Sequence, residues 1–443
     1  VRDLELSGAE LKRMLRQTGD KLGDWLDTLP DQPTSRLAGS NKLAARLDEP
    51  CPTEPTGFTH LLSQVVDHIT PISLNTASGG YLAFIPGGGL PQSAVADLIS
   101  GVTNRYTGLW RPAPGWVQLE VSVLRWMCQW IGYGPESGGV LTSGGSLANL
   151  SALVAARDAG AQVVYTTSLA HHCVAKAAHI VGLPLVELPM DADFRLRPET
   201  IPERPGVVVA SAGTTAVGSV DPLDALADVC QAGGHWLHVD GAYGGCFVLT
   251  ERGRAVLRGI ERADSVVLDP HKGLFLPYGT GALLVRERAK LAAAFQSSAS
   301  YLPEPGAHDL HWDFTDLGPE LSRPARGLRL WLPLKLHGVG AWERALDEKL
   351  DLALQARDRL AAMPGIELVT DCELSLFAFR VNDSDTDTRR LLSRVNERQR
   401  VFLTGATVPG HGFVGRVCVL SFRTHQAQID ALSEDVERAL RAT

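Results

Sequence analysis

Cysteine is scarce in this chain and carries no pattern. The seven thiols (Cys51, Cys128, Cys173, Cys230, Cys246, Cys372, Cys418) are odd in number and include no C-x-x-C pair, which argues against a disulfide framework and against a structural zinc site. A reducing cytoplasm is the expected location, and no metal is expected. Long apolar runs are missing too: nothing approaches the roughly 18 residues of a membrane span, and Val1-Arg-Asp-Leu-Glu5 has no signal-peptide core. Basic runs are absent and the net charge is only −8 over 443 residues. Nucleic acid and acidic membrane surfaces are therefore poor partners, and a small molecule is the better expectation. Eight lysines stand against 34 arginines, few enough to examine singly. Lys12, Lys21, Lys42, Lys176, Lys290, Lys335 and Lys349 lie in polar or amphipathic helical text; only Lys272 lies between a proline-histidine corner and an apolar run.

What is present is the text of a globular α/β protein, 44% apolar and 21% charged, too long for one small core. Ser7-Gly-Ala-Glu10 reads as a capping box opening an amphipathic helix with Leu11, Met14, Leu15, Leu22 and Leu26 on one face. A proline-rich connector and a second helical stretch, 57–69, follow. Residues 1–75 are too few to close a core alone and are expected to pack on another surface, such as a partner subunit. From about 115 to 290, helical periodicity alternates with short β-branched runs starting near Gly139, Gln162, Gly206, His235, Ser265 and Ala282. That alternation predicts a mostly parallel sheet flanked by helices, in a large domain assigned to 76–335. Residues 297–324 are polar and aperiodic, as expected of a functional loop. One helix is expected over 326–361, and 336–443 reads as a small α+β domain.

Ligands of such sheets bind at the carboxyl ends of strands, and Ser143, Thr214, Asp240 and Lys272 each fall just after a predicted strand. Lys272 closes Asp269-Pro-His-Lys ahead of a Gly-rich apolar run, 32 positions after Asp240 in His238-Val-Asp-Gly-Ala-Tyr. A lysine in apolar surroundings can lose its proton and form a Schiff base; a distant aspartate can keep a pyridine nitrogen protonated. Together they are what a pyridoxal phosphate (PLP) site requires. Thr142-Ser-Gly-Gly-Ser146, at a strand-to-helix junction, is a plausible phosphate cup, though it lacks the nucleotide and dinucleotide glycine signatures. Taken singly each feature has a plainer explanation. The glycines suit a capped turn, His171 a surface histidine, Ala212-Gly-Thr-Thr215 a simple turn, Asp240 a helix cap and Lys272 a snorkelling side chain. Five compatible strand ends together make those explanations improbable.

These residues resemble those of the group II PLP-dependent amino-acid decarboxylases, which include aromatic, histidine and glutamate decarboxylases. The similarity runs from Tyr81-Leu-Ala-Phe-Ile-Pro86 and Trp110-x-x-x-Pro114 through the strand-end motifs to Leu317-Gly-Pro-Glu-Leu-Ser-Arg323 and Ser421-Phe-Arg-Thr424. It implies fold type I, a homodimer whose N-terminal helices embrace the partner, and decarboxylation of an L-amino acid to an amine. Lys272 would hold PLP, Asp240 would face the pyridinium and His171 would stack on the ring. Ser143, Gly145, Ser146 and His271 would serve the phosphate side, Ala242 would border the ring, and Thr215 would support the Asp240 and His271 network. Tyr301 matches a catalytic-loop tyrosine that donates a proton to the substrate carbon; phenylalanine there tends towards oxidative deamination to aldehydes. Phe84, Ile85, Tyr106, Trp110 and Arg111 are the implied pocket walls, with the partner's site as the alternative for some of them. Thr76 and Ala77 stand where aromatic members carry Trp-His, which puts a bulky aromatic substrate in doubt. Gly87 follows Pro86, Gly241 replaces the usual alanine and Thr280 a common cysteine. An aldehyde-forming enzyme and a non-catalytic dimerisation module are the competing readings.

Overall fold

The computed structural model describes residues 4–296 and 311–441. Its main sheet has seven strands: β1 (Gly138–Thr142), β2 (Val164–Thr166), β3 (Leu185–Glu187), β4 (Val207–Ser211), β5 (Trp236–Gly241), β6 (Ser265–Leu268) and β7 (Gly281–Val285). The order is β1-β7-β6-β5-β4-β2-β3. Only β7 runs against the rest, pairing antiparallel with both β1 and β6. Strands β1, β4, β6 and β7 are buried at every residue, as befits a sheet covered by helices on both faces, where continuous apolar runs replace alternation. The α/β expectation holds.

Several elements differ from the sequence expectation. β3 went unread because it is a three-residue edge strand, largely exposed. The helix expected over 326–361 is two, Gly327–His337 and Val339–Ala361, broken at Gly338, whose φ of +68° suits glycine and ends a helix. The described part of the supposed polar loop is packed: Trp312, Phe314 and Leu317 are buried. Lys349 is no amphipathic surface lysine but fully buried, its Nζ 2.8 Å from Glu348 Oε2 and donating to the Thr424 carbonyl.

A second sheet, order β10-β11-β9-β8, comprises β8 (Ile366–Leu368), β9 (Leu376–Val381), β10 (Thr404–Val408) and β11 (Gly412–Cys418). β10, absent from the sequence expectation, is a half-exposed edge interrupted by Gly405. This sheet has its own apolar core, which Leu82 joins, because the chain at 80–82 bonds to Phe402 and Cys418. The first helix, Gly8–Thr28, has the expected reciprocal capping box between Ser7 and Glu10 and no buried residue.

Candidate active site

The carboxyl ends of β1, β4, β5 and β6 surround a cavity of about 330 Å³. All nine residues expected to touch a cofactor, Ser143, Gly145, Ser146, His171, Thr215, Asp240, Ala242, His271 and Lys272, line it. Parallel strands end on the same side of the sheet, so residues far apart in sequence converge.

Lys272 sits in the short Pro270–Gly273 helical turn after β6. Its Nζ lies 2.8 Å from Asp269 Oδ2, and the side chain is 22% exposed, facing the cavity. Burial pulls its pKa down, but the Asp269 carboxylate and, farther off, Asp240 overcome that and raise it. Asp269 is itself buried, and its Oδ1 has no hydrogen-bond partner among the described residues. Asp240 accepts from Ala242 N–H at 3.1 Å and from Asn149 Nδ2 at 3.1 Å. His171 caps the His172–Val181 helix, its Nδ1 accepting from Cys173 N–H at 3.3 Å, so its ring proton belongs on Nε2. Burial lowers its pKa against the pull of Asp240, which favours a neutral imidazole. His271 donates from Nδ1 to the Thr280 carbonyl at 2.6 Å.

The helix Gly145–Asp158 starts at the cavity with Gly144 as a cap that contributes no side-chain bond, leaving its first N–H groups without intrahelical partners.

A family model of the pyridoxal-dependent decarboxylase conserved domain matches residues 41–382. The chain belongs to this family. The aromatic-L-amino-acid decarboxylase of Bacillus atrophaeus is 32% identical to it over a 473-residue alignment that covers 98% of each chain. Oryza sativa TDC, solved with PLP and tryptamine, superposes with a TM-score of 0.92 at 24% identity over 99% of both chains. Catharanthus roseus tryptophan decarboxylase in complex with L-tryptophan gives 0.90 at 22% identity, covering 99% of this chain and 100% of that one.

The cofactor of this decarboxylase is pyridoxal phosphate, and the cavity fits it. Thr214 Oγ1 and Asp269 Oδ1 are buried beside it without protein partners among the described residues. A Cβ at Gly145 would come within 3.0 Å of the Asp269 carboxylate, so glycine keeps this corner of the cradle open.

The expected pocket walls do not line this cavity. Phe84 is 53% exposed, with φ of +50°. Ile85 points into the main core. Tyr106 donates to the Leu321 carbonyl at 3.1 Å, while Trp110 stacks on His311 at 3.6 Å and its N–H donates to Asp313. Both thus pack on the segment that follows the undescribed stretch, and Arg111 is exposed. Gly87 abuts the site from a neighbouring cavity: a Cβ there would collide with the His271 carbonyl at 2.1 Å. Thr215 is exposed at the cavity rim; Asn149 and the Thr280 carbonyl, rather than Thr215, bond to Asp240 and His271. Tyr301 lies outside the described residues.

Asn149 and Asp269 escaped the sequence reading as site residues. A polar residue on the buried face shared by Gly145, Ala148 and Ala152 was the available signal for Asn149.

Beneath the site, burial depresses His238 to about 4 and lifts Asp221 to about 6. His238 stays neutral in the fold, so its contribution is complete above pH 6.5 and is lost as pH falls towards 4. Asp221 acts oppositely, costing stability as pH rises from 3.8 to 6. Each amounts to about 3 kcal/mol, so they nearly cancel. Asp221→Asn should uncover the histidine: between pH 6.5 and 4 the variant should lose up to about 3 kcal/mol more than the parent in urea unfolding. Parallel pH profiles would refute this.

Proposed function

We propose that this decarboxylase acts on an L-amino acid with an aromatic side chain and anchors PLP covalently through the Lys272 amine. The observation that carries the anchoring assignment is the convergence of Lys272, Asp240 and the Gly145–Asp158 helix N-terminus on one cavity. When bound, PLP supplies the electron sink that accepts the pair released as the carboxylate leaves.

The chain's residues supply position and proton control. Ser143, Gly145 and Ser146, with His271, offer hydroxyl and backbone donors and a helix N-terminus to the phosphate. Asp240, oriented by Asn149 and Ala242, presents its charge to the ring nitrogen. His171, held neutral and fixed by Cys173 N–H, supplies a flat face for stacking. Asp269 Oδ2 is placed to take the proton that Lys272 Nζ must shed before it can act as a nucleophile. Tyr301 is assigned the proton donated to the substrate α-carbon.

The aromatic preference draws on the aromatic-amino-acid relatives and on Tyr278, which lines a neighbouring cavity together with Thr76 and whose ring lies 5.7 Å from His271. A ring at 278 compensates for the tryptophan missing at 76. Incubation with L-tryptophan, L-tyrosine, L-phenylalanine, L-histidine and L-glutamate should give aromatic amines and carbon dioxide in equal amounts, without peroxide. Preference for glutamate or histidine would overturn the substrate assignment. Tyr301→Phe should divert product to aldehyde, with oxygen consumed and peroxide released; unchanged amine yield would remove the tyrosine from its role.

A homodimer is part of the same reading. Leu15, Leu22 and Leu26 of the first helix are 37–47% exposed, beside Val95, Leu98, Ile99 and Val102 of the Pro91–Thr103 helix, 41–57% exposed. So large an apolar face is suited to a second copy. Light scattering should report twice the 47.6 kDa chain mass; a monomer would contradict it. Six of the seven cysteines are buried and all are free, which supports a reducing, cytoplasmic setting. No described helix is long and apolar enough to cross a membrane.

A further inference from the structure

A chain of hydrogen bonds runs under the cavity floor from Asp240 to the amino-terminal end of β5. Asn149 Nδ2 donates to Asp240 Oδ2 at 3.1 Å, and Asn149 Oδ1 lies 2.7 Å from His238 Nε2. His238 Nδ1 lies 2.7 Å from Ser265 Oγ, which accepts from Trp236 Nε1–H at 2.8 Å. Trp236, His238 and Asp240 are alternate residues of β5 and so share one face, while Ser265 is His238's register partner on β6. Asn149, His238 and Ser265 are each at most 1% exposed, so solvent offers these links no alternative partner.

The two ends set the direction. Indole N–H can only donate, and an ionised carboxylate can only accept. With Trp236 donating to it, Ser265 spends its own proton on His238 Nδ1. The histidine proton then sits on Nε2 and points at Asn149 Oδ1, which turns the carboxamide NH₂ towards Asp240. The opposite direction would need a protonated Asp240, and it would aim two donors at Ser265 while leaving the serine proton without an acceptor in the chain. We propose that Trp236, Ser265, His238 and Asn149 form a one-way relay that fixes the orientation of the Asp240 carboxylate, with Asn149 as the positioning residue in contact with it.

This rests on the reading of Asp240 as the counter-charge to the cofactor ring. Other groups acting on Asp240 are His171 from the turn after β2, Cys173 from the helix that His171 caps, and Lys272 with its partner Asp269 from the turn after β6. Asn149 Nδ2 also lies 3.4 Å from Cys173 Sγ. None of these groups supplies the donor that Asn149 gives to Oδ2.

The test is a titration of the apoenzyme with PLP at neutral pH, read by the bound cofactor's visible absorption, on the parent, Asn149→Leu, Trp236→Phe and Asp240→Asn. Loss of a hydrogen bond to a charged group predicts about 10- to 100-fold weaker cofactor binding in Asn149→Leu. The bound cofactor's visible band should also shift in that variant, because the carboxylate that faces the ring nitrogen is no longer held in place. Trp236→Phe, which removes only the far donor at the first residue of β5, should shift the band in the same direction with a smaller loss of affinity. If Asp240→Asn weakens binding but Asn149→Leu matches the parent in affinity and visible band, the relay is wrong and the Asp240 reading stands. If Asp240→Asn matches the parent, the Asp240 reading falls and the relay with it. Should Asn149→Leu fail to fold, Trp236→Phe decides: an unmoved band with unchanged affinity overturns the relay.

Discussion

Lys272→Ala should abolish decarboxylation, lowering kcat by at least about 10³-fold, because its amine is the proposed anchoring nucleophile. The sharper readout is chemical. After borohydride reduction and proteolysis of the PLP-loaded parent, the peptide containing Lys272 should carry the cofactor mass, and the variant should carry none. The fold contains a second buried lysine that makes this a real choice. Lys349 is less exposed than Lys272, and burial lowers its pKa against the pull of Glu348, which by itself suits a nucleophile. Its Nζ is engaged by Glu348 and the Thr424 carbonyl and lines none of the described cavities, so it is assigned to pinning the Ser421–Thr424 turn. Cofactor mass on Lys349 would overturn the assignment of Lys272.

Arg323→Met should destabilise the fold by about 3–5 kcal/mol, the usual result of stranding one member of a buried ion pair. Arg323 Nη2 lies 2.6 Å from Glu120 Oε1, and both side chains are 1% exposed. The same nitrogen donates to the Leu141 carbonyl at 2.8 Å, and Arg326 Nη1 reaches that carbonyl at 3.2 Å. Leu141 lies two residues ahead of Ser143, so the pair braces the strand that delivers the proposed phosphate cup. Combining Arg323→Met with Glu120→Leu should recover much of the loss, since two apolar side chains leave no charge unpaired. Urea midpoints of the two variants separate these outcomes; a single variant as stable as the parent would show that the pair contributes little.

The strand ends and their chemistry were legible because they are local. A β-branched run followed by Asp240, or by Pro270-His-Lys272, announces where a strand stops, and parallel topology then brings such ends to one edge. The pocket walls rest on the resemblance rather than on a local pattern. Phe84, Tyr106 and Trp110 take their directions from contacts with Thr404, Leu321, His311 and Asp313, more than 200 residues away. The helix break at Gly338 was missed because apolar spacing continues across it, and the short edge strands β3 and β10 because they bury too little to impose a pattern.

The sequence by itself determined the cofactor class and the α/β architecture and singled out Lys272, Asp240, His171 and the Ser143–Ser146 turn, since each rests on residue type and local period. Only the tertiary structure decided what those groups meet. It paired Lys272 with Asp269 rather than leaving it free, set Asn149 on Asp240 across 91 positions, and buried Lys349 and Arg323 beside their carboxylates. Burial and hydrogen-bond partnership depend on elements distant in the chain, and the period of a single helix or strand specifies which of its faces is covered but not which residue covers it.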